Sequence, residues 1–252
     1  MVNVPPIKTA IGSNWLYCPT PRQEAQMRLF CFPYAGGSPF MFRTWAARLP
    51  EHIEIVAVCL PGRNSRVREA AFSEWVSLLE ATEAALVPYF DKPFVLFGHS
   101  LGALIAYELA QTFQPQYLLI SGRRSPHTPE RKPPMYSCPG SAFIERLREM
   151  NGISSEVLAD SKLMTVLEPM IRADIKLAET WKLTERQPLD VPIAAFCGLE
   201  DNIDTVEDMQ GWERYTRREF SLYTFPGDHF FLHTAEEILL ETISNLCNPS
   251  ST

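Results

Sequence analysis

Two kinds of stretch alternate along the chain. Short apolar runs at 27–32, 53–59, 94–97, 117–121, 193–198 and 220–225 are bounded by glycine, proline or polar residues and predict buried β-strands. Between them, apolar residues recur at i, i+3 and i+4. Trp75, Leu78, Leu79 and Leu86 share one face within 72–89, and Leu101, Leu104, Ile105 and Leu109 another, while a last helical pattern runs from Ala235 to Leu246. Ser73 is the expected N-cap of the first of these helices, and Ser38 with Pro39 at the first helical position predicts a further helix through Met41, Trp45 and Leu49. Strict β/α alternation implies an α/β fold, a mostly parallel central sheet with helices on both faces.

The alternation lapses from 122 to about 188. A proline-rich segment, Arg124 to Pro134, leads into helical patterns at 143–150, 154–160 and 163–181, and no strand follows until 193. Helices inserted between two strands on the strand-end side are expected to form a lid over a site, here at about 123–188. With that insertion, residues 1–252 are expected to make one domain, because a single α/β domain of this length is common.

Composition narrows the class. A hydrophobic content of 46% and a charged content of 21% are ordinary for a globular protein, and a net charge of -7 provides no positive field to draw nucleic acid. The six cysteines include no C-x-x-C pair, and three lie in or at the ends of strand-like runs, the usage of reduced thiols in a cytoplasmic protein. No stretch approaches the roughly 18 consecutive apolar residues of a membrane span. Residues 1–26 are polar and proline-containing, so they read as an extended leader and not as a secretory signal; 248–252 reads as a short low-complexity tail.

The chemistry centres on Phe97-Gly98-His99-Ser100-Leu101-Gly102, a G-x-S-x-G run between a predicted strand and a predicted helix. On such an elbow Ser100 projects its hydroxyl at the helix N-terminus, and neither flanking glycine has a Cβ to clash across the turn. Two further loops follow strands, Leu199 to Asp204 and Pro226 to Phe231. Loops at the carboxyl ends of a doubly wound sheet converge on one rim, so Ser100, Asp201 and His229 are expected together, in the chain order that α/β-hydrolases use. A serine hydroxyl needs an imidazole to accept its proton, and a carboxylate to fix the imidazole tautomer and stabilise the imidazolium. Asp201 is preferred as that acid for its shorter reach, with Asp204 the alternative. The loop Pro33 to Ser38 follows another strand and offers an oxyanion donor from the backbone of Ala35 or its neighbour Tyr34, to pair with the Leu101 N–H.

The other histidines read differently. His99 is expected to be structural, its side chain pointing away from the hydroxyl, and His52 and His127 to lie at the surface. His229 and His233 stand at i, i+4, but no H-E-x-x-H or third ligand accompanies them, so no metal is expected.

Several stretches together resemble one family. They are Leu29 to Ser38, Leu60-Pro61-Gly62-Arg63, Phe97 to Ala103, Ser121 to Pro126, Ile171-Arg172-Ala173-Asp174, and Pro226 to Leu232. The chain resembles the type II thioesterases of nonribosomal peptide and polyketide synthesis, of the α/β-hydrolase fold. That resemblance implies a serine thioesterase that hydrolyses acyl groups from the phosphopantetheine arm of acyl- or peptidyl-carrier proteins, editing stalled or misprimed units. It implies no cofactor of its own, since phosphopantetheine belongs to the carrier. Carried over, Ser100 is the nucleophile, His229 the base, Asp201 the orienting acid, and Leu101 and Ala35 the oxyanion donors. Tyr34 and Asp228 depart from the family's usual histidine and glycine, and a carboxylate beside His229 is expected to raise its pKa. Carrier proteins are acidic, so Arg63, Arg66, Arg68, Arg123, Arg124, Arg131 and Lys132 are candidates for a basic docking patch. Release of medium-chain acyl groups in fatty acid synthesis and general carboxylesterase activity use the same side chains and remain as alternatives.

Overall fold

The computed structural model describes residues 13–248. The extended leader is therefore outside the described residues over 1–12, and the tail over 249–252. In chain order the strands are β1 (Leu16–Tyr17), β2 (Met27–Phe32), β3 (Ile53–Val58), β4 (Phe94–His99), β5 (Tyr117–Ser121), β6 (Ile193–Gly198) and β7 (Phe220–Phe225). They form a seven-stranded sheet in the order β1-β3-β2-β4-β5-β6-β7. All neighbours are parallel except β1, which runs antiparallel to β3 through Leu16 and Val58. This is the α/β-hydrolase architecture expected from the sequence. Two residues are too few to show a period, which is why β1 is hidden in the leader.

Eight α-helices accompany the strands among the described residues: α1 (Trp75–Leu86), α2 (Leu101–Thr112), α3 (Gly140–Met150), α4 (Ser155–Ala159), α5 (Ser161–Thr180), α6 (Val206–Gln210), α7 (Phe231–Thr234) and α8 (Glu236–Leu246). Side chains alternate across the strands, so the sheet feeds two cores. Phe30, Phe32, Val56 and Leu96 pack with α1 and α2 on one face. Leu29, Cys31, Ile55 and Phe97 pack on the other with Phe42 and Trp45 and with Leu239 and Ile243 of α8. A third apolar cluster, including Phe143, Leu158, Met170 and Ile175, holds α3, α4 and α5 together between β5 and β6.

Three local expectations are corrected. The segment after Ser38 is not one helix but two 3₁₀ turns, Pro39–Phe42 and Trp45–Ala47; the Ser38 side chain does cap the first, accepting the Phe40 N–H at 3.1 Å. Ser73 does not cap α1, which starts two residues later after an extended Glu74 that makes no side-chain cap. Residues 101–110 of α2 are buried on every side, not on one face, because α1 and α5 pack on the helix as well as the sheet.

Candidate active site

Residue 100 is placed by geometry that only this sequence pattern permits. Ser100 has φ 54° and ψ -111°, and its N–H donates to the carbonyl of Ser121 on β5 at 2.8 Å. The strain is sustained by close packing. A Cβ on Gly98 would stand 2.1 Å from the Gly102 carbonyl oxygen, and one on Gly102 would stand 2.1 Å from that of Phe32. The glycines therefore let the first turn of α2 sit directly against the ends of β4 and β2.

The loops after β6 and β7 meet across 28 residues of sequence. His229 Nδ1 lies 2.7 Å from Asp201 Oδ2, both side chains being buried, and the other oxygen of Asp201 accepts the N–H groups of Ile203 and Asp204 at 2.8 and 3.0 Å. Burial opposes charge on either partner. On Asp201 the hydrogen bond and charge of His229, with the two N–H groups, outweigh burial and hold the carboxyl below its usual range. On His229 burial is likewise outweighed by the Asp201 bond and charge, with Asp204 behind it, and the imidazole pKa lies above its ordinary value. With Nδ1 held by Asp201, Nε2 is the ring nitrogen left for proton transfer. The Ser100 hydroxyl makes no hydrogen bond to His229 among the described residues; such contacts often tighten only when substrate is bound.

Asp204 does not reach the imidazole. Its carboxylate is bonded by Nε of Arg124, whose Nη2 donates to the Ile203 carbonyl at 2.7 Å. Arg124 thus braces the turn whose N–H groups hold Asp201.

The two backbone N–H groups expected as oxyanion donors belong to Leu101 and Ala35. Leu101 is the first residue of α2, where an N–H has no intrahelical acceptor. The Ala35 N–H has no acceptor among the described residues, whereas Gly36 N–H donates to Asp174 Oδ2 at 2.7 Å and Gly37 N–H to the Tyr34 carbonyl at 2.8 Å. The Tyr34 ring packs edge-on to Phe230 and its hydroxyl lies 3.2 Å from His233 Nε2. Among the described residues no group of three His, Cys, Asp or Glu side chains could hold a metal ion.

His99 is fully buried with Nδ1 2.8 Å from Ser121 Oγ and its ring centroid 5.1 Å from that of His229. Burial, then the charges of His229 and His233, push its pKa well down, so it stays neutral. His127 is exposed, but His52 is half-buried against the Cys247 carbonyl at 3.4 Å, not free at the surface.

Two expectations about charge fail. The leading influences on His229 are burial, Asp201, Asp204 and Arg123, and Asp228 is not one of them; its oxygens accept the Phe230 N–H at 2.8 Å and Asn151 Nδ2, at the end of α3, at 3.2 Å. The basic patch is largely absent. Arg63 pairs with Asp174 and Arg124 with Asp204, both in the interior; buried Arg66 pairs with Glu69 and lies over the Trp15 ring, Arg123 pairs with Glu130, and Arg131 with Asp208. Of the seven, Arg68 and Lys132 alone lack an ion-pair partner among the described residues. Loop position made these cations look available, and no local spacing marks their partners, which lie up to 111 residues away.

A thioesterase domain model matches residues 27–247. The chain belongs to the thioesterase domain family. Thioesterases similar to it work in microbial biosynthetic pathways. Gramicidin S biosynthesis protein GrsT of Aneurinibacillus migulanus is 36% identical over 235 residues, 91% of this chain and 92% of that protein. Among solved structures, the thioesterase RedJ from the prodiginine pathway of Streptomyces coelicolor is 34% identical with a TM-score of 0.83, covering 90% of this chain and 95% of RedJ. The type II thioesterase BorB from the borrelidin cluster is 30% identical with a TM-score of 0.85, covering 93% and 98%.

Proposed function

We propose that this thioesterase hydrolyses acyl thioesters on the phosphopantetheine arm of carrier proteins, clearing stalled or misprimed units from a nonribosomal peptide or polyketide assembly line. The observation that carries the reading is the imidazole of His229, held by Asp201 on the same sheet rim as Ser100, itself forced to positive φ at an elbow. Similarity to GrsT, RedJ and BorB favours an assembly-line substrate over release of medium-chain fatty acids or general ester hydrolysis.

In this mechanism Ser100 Oγ attacks the thioester carbonyl while its proton passes to His229 Nε2. The N–H groups of Leu101 and Ala35 donate to the oxyanion of the tetrahedral intermediate. Collapse breaks the C–S bond, and the departing pantetheine sulfur takes the proton from His229. Water then gives a proton to His229 and attacks the acyl-enzyme; breakdown returns that proton to Ser100 Oγ and releases a carboxylic acid. Asp201 keeps the imidazole in the required tautomer and stabilises its charged form. The helices α3 to α5 act as the lid over the acyl group. No cofactor takes part, and the free cysteines support a cytoplasmic setting for the enzyme.

A panel of acyl groups loaded on a carrier protein, with Ser100→Ala as the blank, tests the proposal. Hydrolysis of carrier thioesters well above that of matched oxygen esters is the expected result. Preference for oxygen esters, or hydrolysis confined to medium-chain fatty acyl carriers, would replace it with one of the two alternatives.

A further inference from the structure

The turn that carries Ala35 is held from outside by one ion pair. Asp174, on α5, uses both carboxylate oxygens there: Oδ2 accepts the Gly36 N–H at 2.7 Å and Oδ1 accepts Nη2 of Arg63 at 2.8 Å. Nη1 of Arg63 donates to the Gly37 carbonyl at 2.9 Å. Arg63 is 4% exposed and Asp174 1%. Gly37 N–H closes the turn onto the Tyr34 carbonyl at 2.8 Å.

These bonds fix a direction. In a trans peptide the N–H points opposite to the C=O, so holding the Tyr34 carbonyl toward Gly37 aims the Ala35 N–H outward from the turn. Arg63 anchors the Gly37 carbonyl and Asp174 the intervening Gly36 N–H, so the pair grips the peptide groups on either side of that turn bond. The anchor comes from the inserted helices: Ile171, one turn before Asp174, packs 3.3 Å from where a Cβ on Gly36 would lie, and Met170 2.9 Å from where one on Gly62 would lie. A buried pair of this kind adds little stability over an apolar pair of similar volume, which leaves alignment as what it contributes.

We infer that the Arg63–Asp174 pair is a positioning element that aims the Ala35 N–H at the developing oxyanion and makes this donor depend on the seating of α5. The inference rests on Ala35 serving as an oxyanion donor in the function proposed above.

The test uses the full chain, a small acyl N-acetylcysteamine thioester and a trifluoromethyl ketone, whose adduct with serine carries an oxyanion. The double variant Arg63→Met/Asp174→Leu replaces the pair with apolar side chains; Arg63→Lys keeps a buried charge but not the two-pronged grip, and covers the case in which the double variant does not fold. In the double variant kcat is expected to fall about 10²-fold, the order seen for loss of one oxyanion donor. KM should stay within about twofold and ketone affinity should weaken in step with kcat, with an intermediate loss for Arg63→Lys. Folded variants that keep ketone affinity and kcat within about twofold of the parent overturn the inference, as does a loss of kcat without a loss of ketone affinity. If the parent chain cleaves no thioester, the proposed function fails instead, while ketone affinity still reads the alignment.

Discussion

Asp204 gives its carboxylate to the guanidinium of Arg124, and the imidazole of His229 goes to Asp201 three residues earlier. Two neighbouring acids on one loop therefore have separable jobs. Asp201→Asn leaves His229 without its charged partner, and kcat is expected to fall on the order of 10³ to 10⁴-fold with little change in melting temperature. Asp204→Ala instead removes the buried partner of Arg124, leaving it Glu130 at 3.6 Å and two backbone carbonyls, and should cost about 3 kcal/mol of stability, read by denaturant unfolding. The same ranking in both measurements for both variants would contradict the division.

The raised pKa of His229 sets a direction for pH. The base must be neutral, so kcat/KM should rise with pH through an apparent pKa above the ordinary 6.5 of histidine. Stability runs the other way. The imidazolium–carboxylate pair contributes fully below about 6.5 and its contribution fades as pH climbs through the folded-state value. An acidic limb at or below the ordinary value would mean that burial, and not Asp201, dominates the site.

Asp228 links the His229 loop to the end of α3 through Asn151 and is not among the leading influences on the imidazole. Asp228→Gly is therefore expected to leave the pH–rate profile in place. It should quicken hydrogen exchange in α3 and in the residues around 151, because one tie between the inserted helices and the rim is lost. A shifted acidic limb would restore an electrostatic role for this carboxylate.

Gly102 touches the end of β2 so closely that no side chain fits. Gly102→Ala puts a Cβ 2.1 Å from the Phe32 carbonyl oxygen, and neither backbone can yield without moving β2 or the elbow. Loss of folded protein, or of Ser100 labelling by a fluorophosphonate, is the expected outcome. Normal labelling and melting would show that the elbow tolerates more movement than this packing implies.

The strands β2 to β7, the three helices α3 to α5 and the Ser100 elbow were legible in the sequence because each rests on local periodicity or on residues adjacent in the chain. The convergence of strand-end loops on one rim likewise brought Ser100, Asp201 and His229 together in the reading. Less was legible where partners are distant. Arg63 and Asp174 stand in two separate motifs, and no spacing reveals that one grips the other; the same holds for Arg124 and Asp204, which took two cations out of the expected surface patch. β1 and α6 are too short to declare a period. The choice between Asp201 and Asp204 turned on which carboxylate the rim leaves facing the imidazole. Periodicity is written by nearest neighbours on a strand or helix, so sequence alone determined the elements and the residue types of the site. Charge pairing and burial are set by residues brought together from across the sheet, and the tertiary structure alone decided which groups carry charge into the interior and what they hold there.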